Sequence, residues 1–201
     1  MSLAETQVDG RRLRREQNRE AVIDALVALF EEGSYTPSSG EIAERAGISP
    51  RSLFRYFDDV DDLNRTAVER HISTHRALFD MGVQRDEPTA TKIERFVEAR
   101  VRLHEAVTPG ARAARLTAHR STVVAQQLHD TRVFLRQQVA TVFAPELDGE
   151  IGAALLPAID ELMSFEAYEF MRHGHRMSRA KATATLIAAL TKLLDDERGS
   201  S

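Results

Sequence analysis

Apolar residues recur at spacings of three and four along almost the whole chain, and no alternating stretch of convincing length interrupts them. The pattern predicts an all-α protein. A polar stretch, Met1 to Gly10, reads as disordered. A first helix is expected from about Arg12 to Glu32, with Ala21, Val22, Ala25, Leu26, Leu29 and Phe30 as its apolar stripe. Gly33 stands where a left-handed residue would end it. The next helix starts at Ser38, which has the capping-box spacing to Glu41. Ile42, Ala43 and Ala46 face inward, Gly47 ends this helix, and Ile48 plugs the turn. Ser49 then caps a third helix with Pro50 at its first position, where the missing N–H costs nothing. On a wheel of ~100° per residue, Pro50, Leu53, Phe54 and Phe57 fall on one side. Arg51, Ser52, Arg55 and Tyr56 fall opposite.

The remainder predicts a larger helical bundle of about six helices. A fourth helix runs to about Met81, and Gly82 to Pro88 form a polar loop. A helix from about Thr89 to Val107 is broken by Pro109-Gly110, and others follow over about Ala111 to Val124 and Gln126 to Phe143. Glu150 to His173 is the most apolar helix, with Ile151, Leu155, Ile159, Leu162, Met163, Phe165, Tyr168 and Phe170 on most of its circumference. Pro157 either kinks it or marks a later start. A helix apolar all round must be covered on all sides, here by its own core and a second subunit. The last helix runs from Ser178 to about Asp196. The division is a tail over 1–11, a three-helix head over 12–60, a bundle over 61–196 and a tail over 197–201.

Composition narrows the chemistry. The chain has no cysteine, which excludes disulfides, thiolate catalysis and zinc-finger ligation. It has no run of about 18 apolar residues, so no membrane span is expected. The charged N-terminus has no apolar core behind it, so a cytoplasmic protein is expected. The net charge of −4 does not suit a protein that coats nucleic acid indiscriminately, yet Arg11 to Arg19 is strongly basic. Such a cluster, with Arg14 and Arg15 in it, suits either a solvated helix end or contact with backbone phosphates. No nucleophile elbow, phosphate-binding glycine loop or H-E-x-x-H is present. The chain is read as a non-enzyme, without cofactor or metal. His71 and His75 stand at i, i+4 but lack a supporting carboxylate. Glu166 shares a stripe with Ile159, Met163 and Phe170, which suits a polar group in an apolar pocket or a salt-bridge partner at a dimer seam equally well.

A short helix, a small-residue turn and a second helix with Arg, Ser and Tyr on its polar face form a helix-turn-helix pattern. Arg suits guanine O6 and N7, while Ser and Tyr suit base edges or phosphates. Ser38, Ser39, Ser49, Arg51, Ser52, Arg55 and Tyr56 are therefore the candidate DNA-facing residues. The stretch EIAERAGISPRSLFRYFDDVDDL resembles the DNA-binding domain of TetR-family repressors. The resemblance rests on Ile42-Ala43, the Ala-Gly-Ile-Ser turn, the aromatics Phe54, Tyr56 and Phe57, and Leu63. It covers about residues 12 to 65. Two positions depart from the family pattern. Val60 stands where a phosphate-touching lysine is usual, and Gly40 where a larger polar residue is common. The resemblance implies a double-stranded DNA operator, a small-molecule effector held among the middle helices, and a homodimer formed by the last two helices. It would place the effector against Phe96, Arg100, His104, His119, Val123 and Met163, and Glu166 joins these candidates through its stripe position. The acids Asp58, Asp59, Asp61 and Asp62 leave a second reading, a helical small-molecule binding protein with a vestigial helix-turn-helix.

Overall fold

The computed structural model describes residues 3–195, with side chains from Arg12 to Leu194. Every regular element among them is helical. The order is α1 (Leu3–Glu31), α2 (Ser39–Arg45), α3 (Pro50–Leu53), α4 (Val60–Thr74), a 3-10 turn (Arg76–Phe79), α5 (Thr89–Ala118), α6 (Thr122–Val142), α7 (Gly149–Leu162), α8 (Phe165–Glu169), a π turn (Phe170–Gly174) and α9 (Arg179–Asp195). The helices form two compact units. One joins the chain up to His75 with Val107–Leu128, and the other joins Arg76–Ala106 with the chain from His129 onward.

The first unit closes around one apolar core. Val22, Ile23, Leu26 and Phe30 of α1 meet Ile42 and Ala43 of α2, Leu53 and Phe57 around α3, and Leu63, Ala67 and Val68 of α4. Ala113, Ala114 and Val124 complete it. Each large side chain fully buried there contributes about 1.5–3 kcal/mol. This unit extends past residue 60. α4 spends its apolar stripe on the same core as α1, and so does the end of α5. The helix also starts earlier than residue 12. Leu3, Ala4, Glu5 and Gln7 are good helix formers, and the single Gly10 costs only ~1 kcal/mol. The expected tail from 197 lies outside the described residues.

Three boundaries differ from the periodic reading for local reasons. α4 ends at Thr74 rather than near Met81, because the His75 N–H turns back to the Ile72 and Ser73 carbonyls. The Ser73 and Thr74 hydroxyls both donate to the Arg70 carbonyl, at 2.8 and 3.0 Å. α5 runs through Pro109-Gly110 without a break. Proline inside a helix costs ~3 kcal/mol, yet the helix continues and buries Ala113, Ala114 and Thr117 just beyond it. Gly110 allows the helix to lie on His71, since a Cβ there would meet the ring at 2.4 Å. The expected Glu150 to His173 helix divides at Ser164, whose hydroxyl accepts the Ala167 N–H at 3.0 Å and starts α8. Pro157 lies inside α7, so the helix does not begin after it.

The second unit buries Ile93, Phe96, Val97, Val101 and Leu103 of α5 with Val139, Val142 and Phe143, Ile159, Met163, Phe165 and Tyr168, and Ala182, Leu186, Leu190 and Leu194 of α9. Inside it, Lys92 and Glu146 form an ion pair at 2.7 Å with almost no exposure. Thr89 donates to the same carboxylate at 2.7 Å. Burial pushes the Glu146 carboxyl up, but the Lys92 ammonium and the Thr89 hydroxyl outweigh it and hold it below the ordinary range. Ile151 and Phe170 remain 67% and 62% exposed. Among the described residues no helix is long and apolar enough to cross a membrane.

Candidate nucleic-acid interface

The site begins with two local caps. Ser38 Oγ accepts the Glu41 N–H at 3.2 Å, and the Glu41 carboxylate accepts the Ser38 N–H at 2.8 Å. These bonds from the Ser38 backbone and hydroxyl hold the Glu41 carboxyl below its ordinary range. α2 ends at Gly47, whose φ of +68° belongs to the left-handed region that favours glycine. The Ile48 N–H then bonds the Ala43 carbonyl at 2.9 Å, which folds the turn back on α2. Ser49 caps α3 by accepting the Ser52 N–H at 3.2 Å, with Pro50 in the first turn. Short-range bonds thus set the caps and the turn of α2 and α3, and core packing holds their inner faces.

α3 is a single turn, and this changes which residues face outward. After Leu53 the backbone tightens into turns, with the Arg55 and Tyr56 N–H groups bonding the Ser52 and Leu53 carbonyls at 3.1 and 3.0 Å, so the regular α-helical wheel no longer holds. Leu53 and Phe57 are buried as expected, but Phe54 is 50% exposed and Pro50 is exposed. Tyr56 is half-buried and packs against the core. Arg51 and Arg55 stand exposed. The Ser49 and Ser52 hydroxyls lie 2.9 Å apart and bond each other. Ser39 is half-buried in the first turn of α2.

α1 grips this segment from the side. Arg15 Nη2 donates to the Arg55 carbonyl at 3.3 Å, and Asn18 Nδ2 donates to the Tyr56 hydroxyl at 3.0 Å. The Arg19 guanidinium lies 5.1 Å from the Phe57 ring centre. Arg14 is exposed on the same helix. The sequence reading named Arg14 and Arg15 but missed Asn18 and Arg19. Their signal was available, since 15, 18, 19 and 22 repeat at helical spacing and Val22 is core.

The acids after α3 serve α4. Asp59 accepts the Asp62 N–H at 2.7 Å, and Asp61 and Asp62 occupy the first turn, where the helix dipole favours anions. A cleft of about 410 Å³ lies beside them, lined by Thr36, Pro37, Ser38, Ser39, Asp59, Val60, Asp61, Asn64 and Arg120. Its charges are mixed. Val60 supplies no cation there, and positive charge comes from Arg120 in the cleft and from the arginines of α1, Arg51 of α3 and Arg55 just after it.

The expected effector residues separate. Phe96, Arg100 and His104 follow one another along α5 inside the second unit, buried with Met163. His104 Nε2–H donates to the Met163 carbonyl at 3.0 Å, and its ring stacks on Tyr168 at 5.7 Å. Burial, with Glu105 accepting the hydroxyl at 2.9 Å, pushes Tyr168 up to about 12. His119 and Val123 do not join this group. They are exposed at the turn between α5 and α6, in the first unit. Glu166 does not join it either, being exposed and bonded to Arg132 at 2.6 Å. Helical periodicity could not tell these positions apart, because the break at His119–Ser121 resets the face. His71 and His75 pack ring to ring at 4.7 Å, and no group of three metal-type ligands occurs among the described residues.

A chain whose described residues are helical, with two short capped helices across a glycine turn and arginines exposed on and just after the second, has the architecture of a helix-turn-helix DNA-binding protein. Residues 22–65 match the family of bacterial regulatory proteins, tetR family, and the chain has the fold and domain of TetR-family transcriptional regulators. A transcriptional regulator from Rhodococcus sp. Rha1 superposes with a TM-score of 0.69 at 18% identity, covering 89% of this chain and 96% of that one. A tetR-family transcriptional regulator from Streptomyces coelicolor gives 0.65 at 22% identity, with 91% and 85% covered. The multidrug binding protein EbrR complexed with imidazole gives 0.56 at 16% identity, with 88% and 94% covered. No curated protein sequence matches the chain.

Proposed function

We propose that this protein binds a double-stranded DNA operator as a homodimer and represses transcription until a small-molecule effector releases it. The observation that carries the reading is the pair of exposed arginines, Arg51 and Arg55, presented by a segment that α1 holds through Arg15, Asn18 and Arg19. Arg55 and Arg51 read base edges, and Ser38, Ser39, Ser49, Ser52 and Tyr56 position the segment or reach phosphates. Arg14 and Arg15 neutralise backbone charge in place of the lysine absent at Val60. The exposed apolar residues Ile151 and Phe170 support a dimer formed through α7 to α9. Two copies would read half-sites ~34–36 Å apart. Phe96, Arg100, His104 and Met163 are the effector-facing residues of the second unit. That EbrR, a protein of the same fold, is a multidrug binding protein supports this part.

A mobility-shift assay with genomic fragments, including the region upstream of the gene itself, tests the proposal. A retarded fragment whose affinity falls steeply with salt is expected. No retarded fragment at low salt would favour the vestigial helix-turn-helix instead, a reading to which Asp58 and Asp59 lend their charge.

A further inference from the structure

Arg100 is the oddest residue of the second unit. It sits on the apolar face of α5, in register with Ile93, Phe96, Val97 and His104, and is 1% exposed. Only its Nη2 is engaged, donating to the Leu135 carbonyl at 3.1 Å and to the Gln138 amide oxygen at 3.2 Å. Its Nε–H is buried with no acceptor. Its guanidinium forms no ion pair among the described residues and rests over the Phe96 ring at 5.0 Å. Asp160 acts on it only through space, and Arg136 and Arg132 bear on that same carboxyl. Burial pulls the guanidinium down to about 10.

The bonds to Leu135 and Gln138 use one nitrogen of the guanidinium and leave its Nε–H unused. A leucine or methionine at this position would complete the stripe without the cost of a desolvated charge. Buried donors in native proteins nearly always have acceptors, so an unused one calls for a partner such as water, an ion or a bound molecule. Arginine is also the side chain whose fork matches a carboxylate in two parallel bonds.

We propose that the effector is a carboxylic acid with an apolar body, whose carboxylate takes the Nε–H of Arg100 and replaces the Gln138 oxygen on Nη2. The apolar body would lie along Phe96, whose ring packs edge-on against Phe143 at 5.3 Å. Gln138 would be freed as well, and its own amide now donates to the Phe79 carbonyl at 2.5 Å. The inference rests on the effector-responsive reading given above and assigns the effector its chemical class.

The experiment compares matched probes on the full-length protein: octanoate against 1-octanol, and benzoate against benzyl alcohol. Calorimetry gives affinities, and displacement of a bound operator fragment gives the response. One charge-assisted hydrogen-bond pair predicts a preference of about tenfold or more for at least one carboxylate over its alcohol. Arg100→Met should bring the ratio to about one. Arg100→Lys should keep only part of it. In the unsubstituted protein, the ¹⁵N-detected Nε–H resonance of Arg100 should move when the carboxylate is added, which decides the matter even if a variant does not fold. The proposal is overturned by equal binding of acid and alcohol, by a preference that survives in Arg100→Met, by a static Nε–H resonance, or by no binding of either acid. Operator retention without any acid preference overturns this inference alone. Failure to retain any DNA fragment counts against the regulator reading, while the carboxylate preference still decides the role of Arg100.

Discussion

The side-chain amide of Asn18 donates to the hydroxyl of Tyr56 at 3.0 Å, linking α1 to the segment that carries Arg51 and Arg55. Thirty-eight positions separate the two residues in sequence. The bond sits at the surface, so it adds little to global stability, on the order of 0.5–1.5 kcal/mol. Its consequence is orientation. Tyr56→Phe should leave the melting temperature within a few degrees of the parent but weaken operator binding several-fold, and Asn18→Ala should do the same. Paired melting curves and anisotropy titrations check this. A large melting change without an affinity change would make the bond structural only.

Gly110 predicts a steric test. A Cβ at this position would fall 2.4 Å from Cδ2 of His71, and the imidazole is packed against His75. Gly110→Ala should destabilise the first unit by roughly 1–3 kcal/mol, the usual cost of overpacking. Removing the ring with His71→Ala in the same chain should recover part of that loss. Urea unfolding of the single and double variants measures the coupling.

The Lys92–Glu146 pair predicts both a mutational and a pH effect. Lys92→Met leaves a buried carboxylate without its cation, and a loss of about 3–5 kcal/mol follows. Combining it with Glu146→Leu should recover most of the loss. The Glu146 carboxyl is held below its unfolded value, so its contribution is fully present above the unfolded pKa and is lost as pH falls through the folded one. Acid unfolding curves of the parent and the double variant should therefore diverge below about pH 4.5.

Tyr168 gives the opposite sign at alkaline pH. Its hydroxyl is raised to about 12 by burial and by Glu105. The contribution of the neutral phenol is complete below the ordinary value near 10 and disappears as pH rises through the folded value. Tyr168→Phe should flatten the alkaline loss of stability, as followed by circular dichroism.

The head of the molecule was legible because its signals are short-range. Ser38 with Glu41, Gly47, and Ser49 with Pro50 each fix a cap or turn within a few residues, and each does so in the structure. What failed was extrapolation by periodicity. The wheel placed Phe54 inside, but α3 stops at Leu53 and leaves Phe54 outside. Pro109-Gly110 read as a break, but packing on His71 carries α5 through it. Among the effector candidates, Phe96, Arg100, His104 and Met163 come together, while His119, Val123 and Glu166 are exposed. Only tertiary packing separates the two groups. The burial of Lys92 with Glu146 had no sequence signal, because the partners lie 54 positions apart.

Arg55 and Arg51 are proposed above to read the DNA sequence. Fluorescence anisotropy of the retained upstream fragment, with the parent and Arg55→Ala at two salt concentrations, tests it most directly. Arg55→Ala should lose about 1–3 kcal/mol in specific affinity, with little change against unrelated DNA. Equal binding of the specific fragment by the parent and by Arg55→Ala would contradict it.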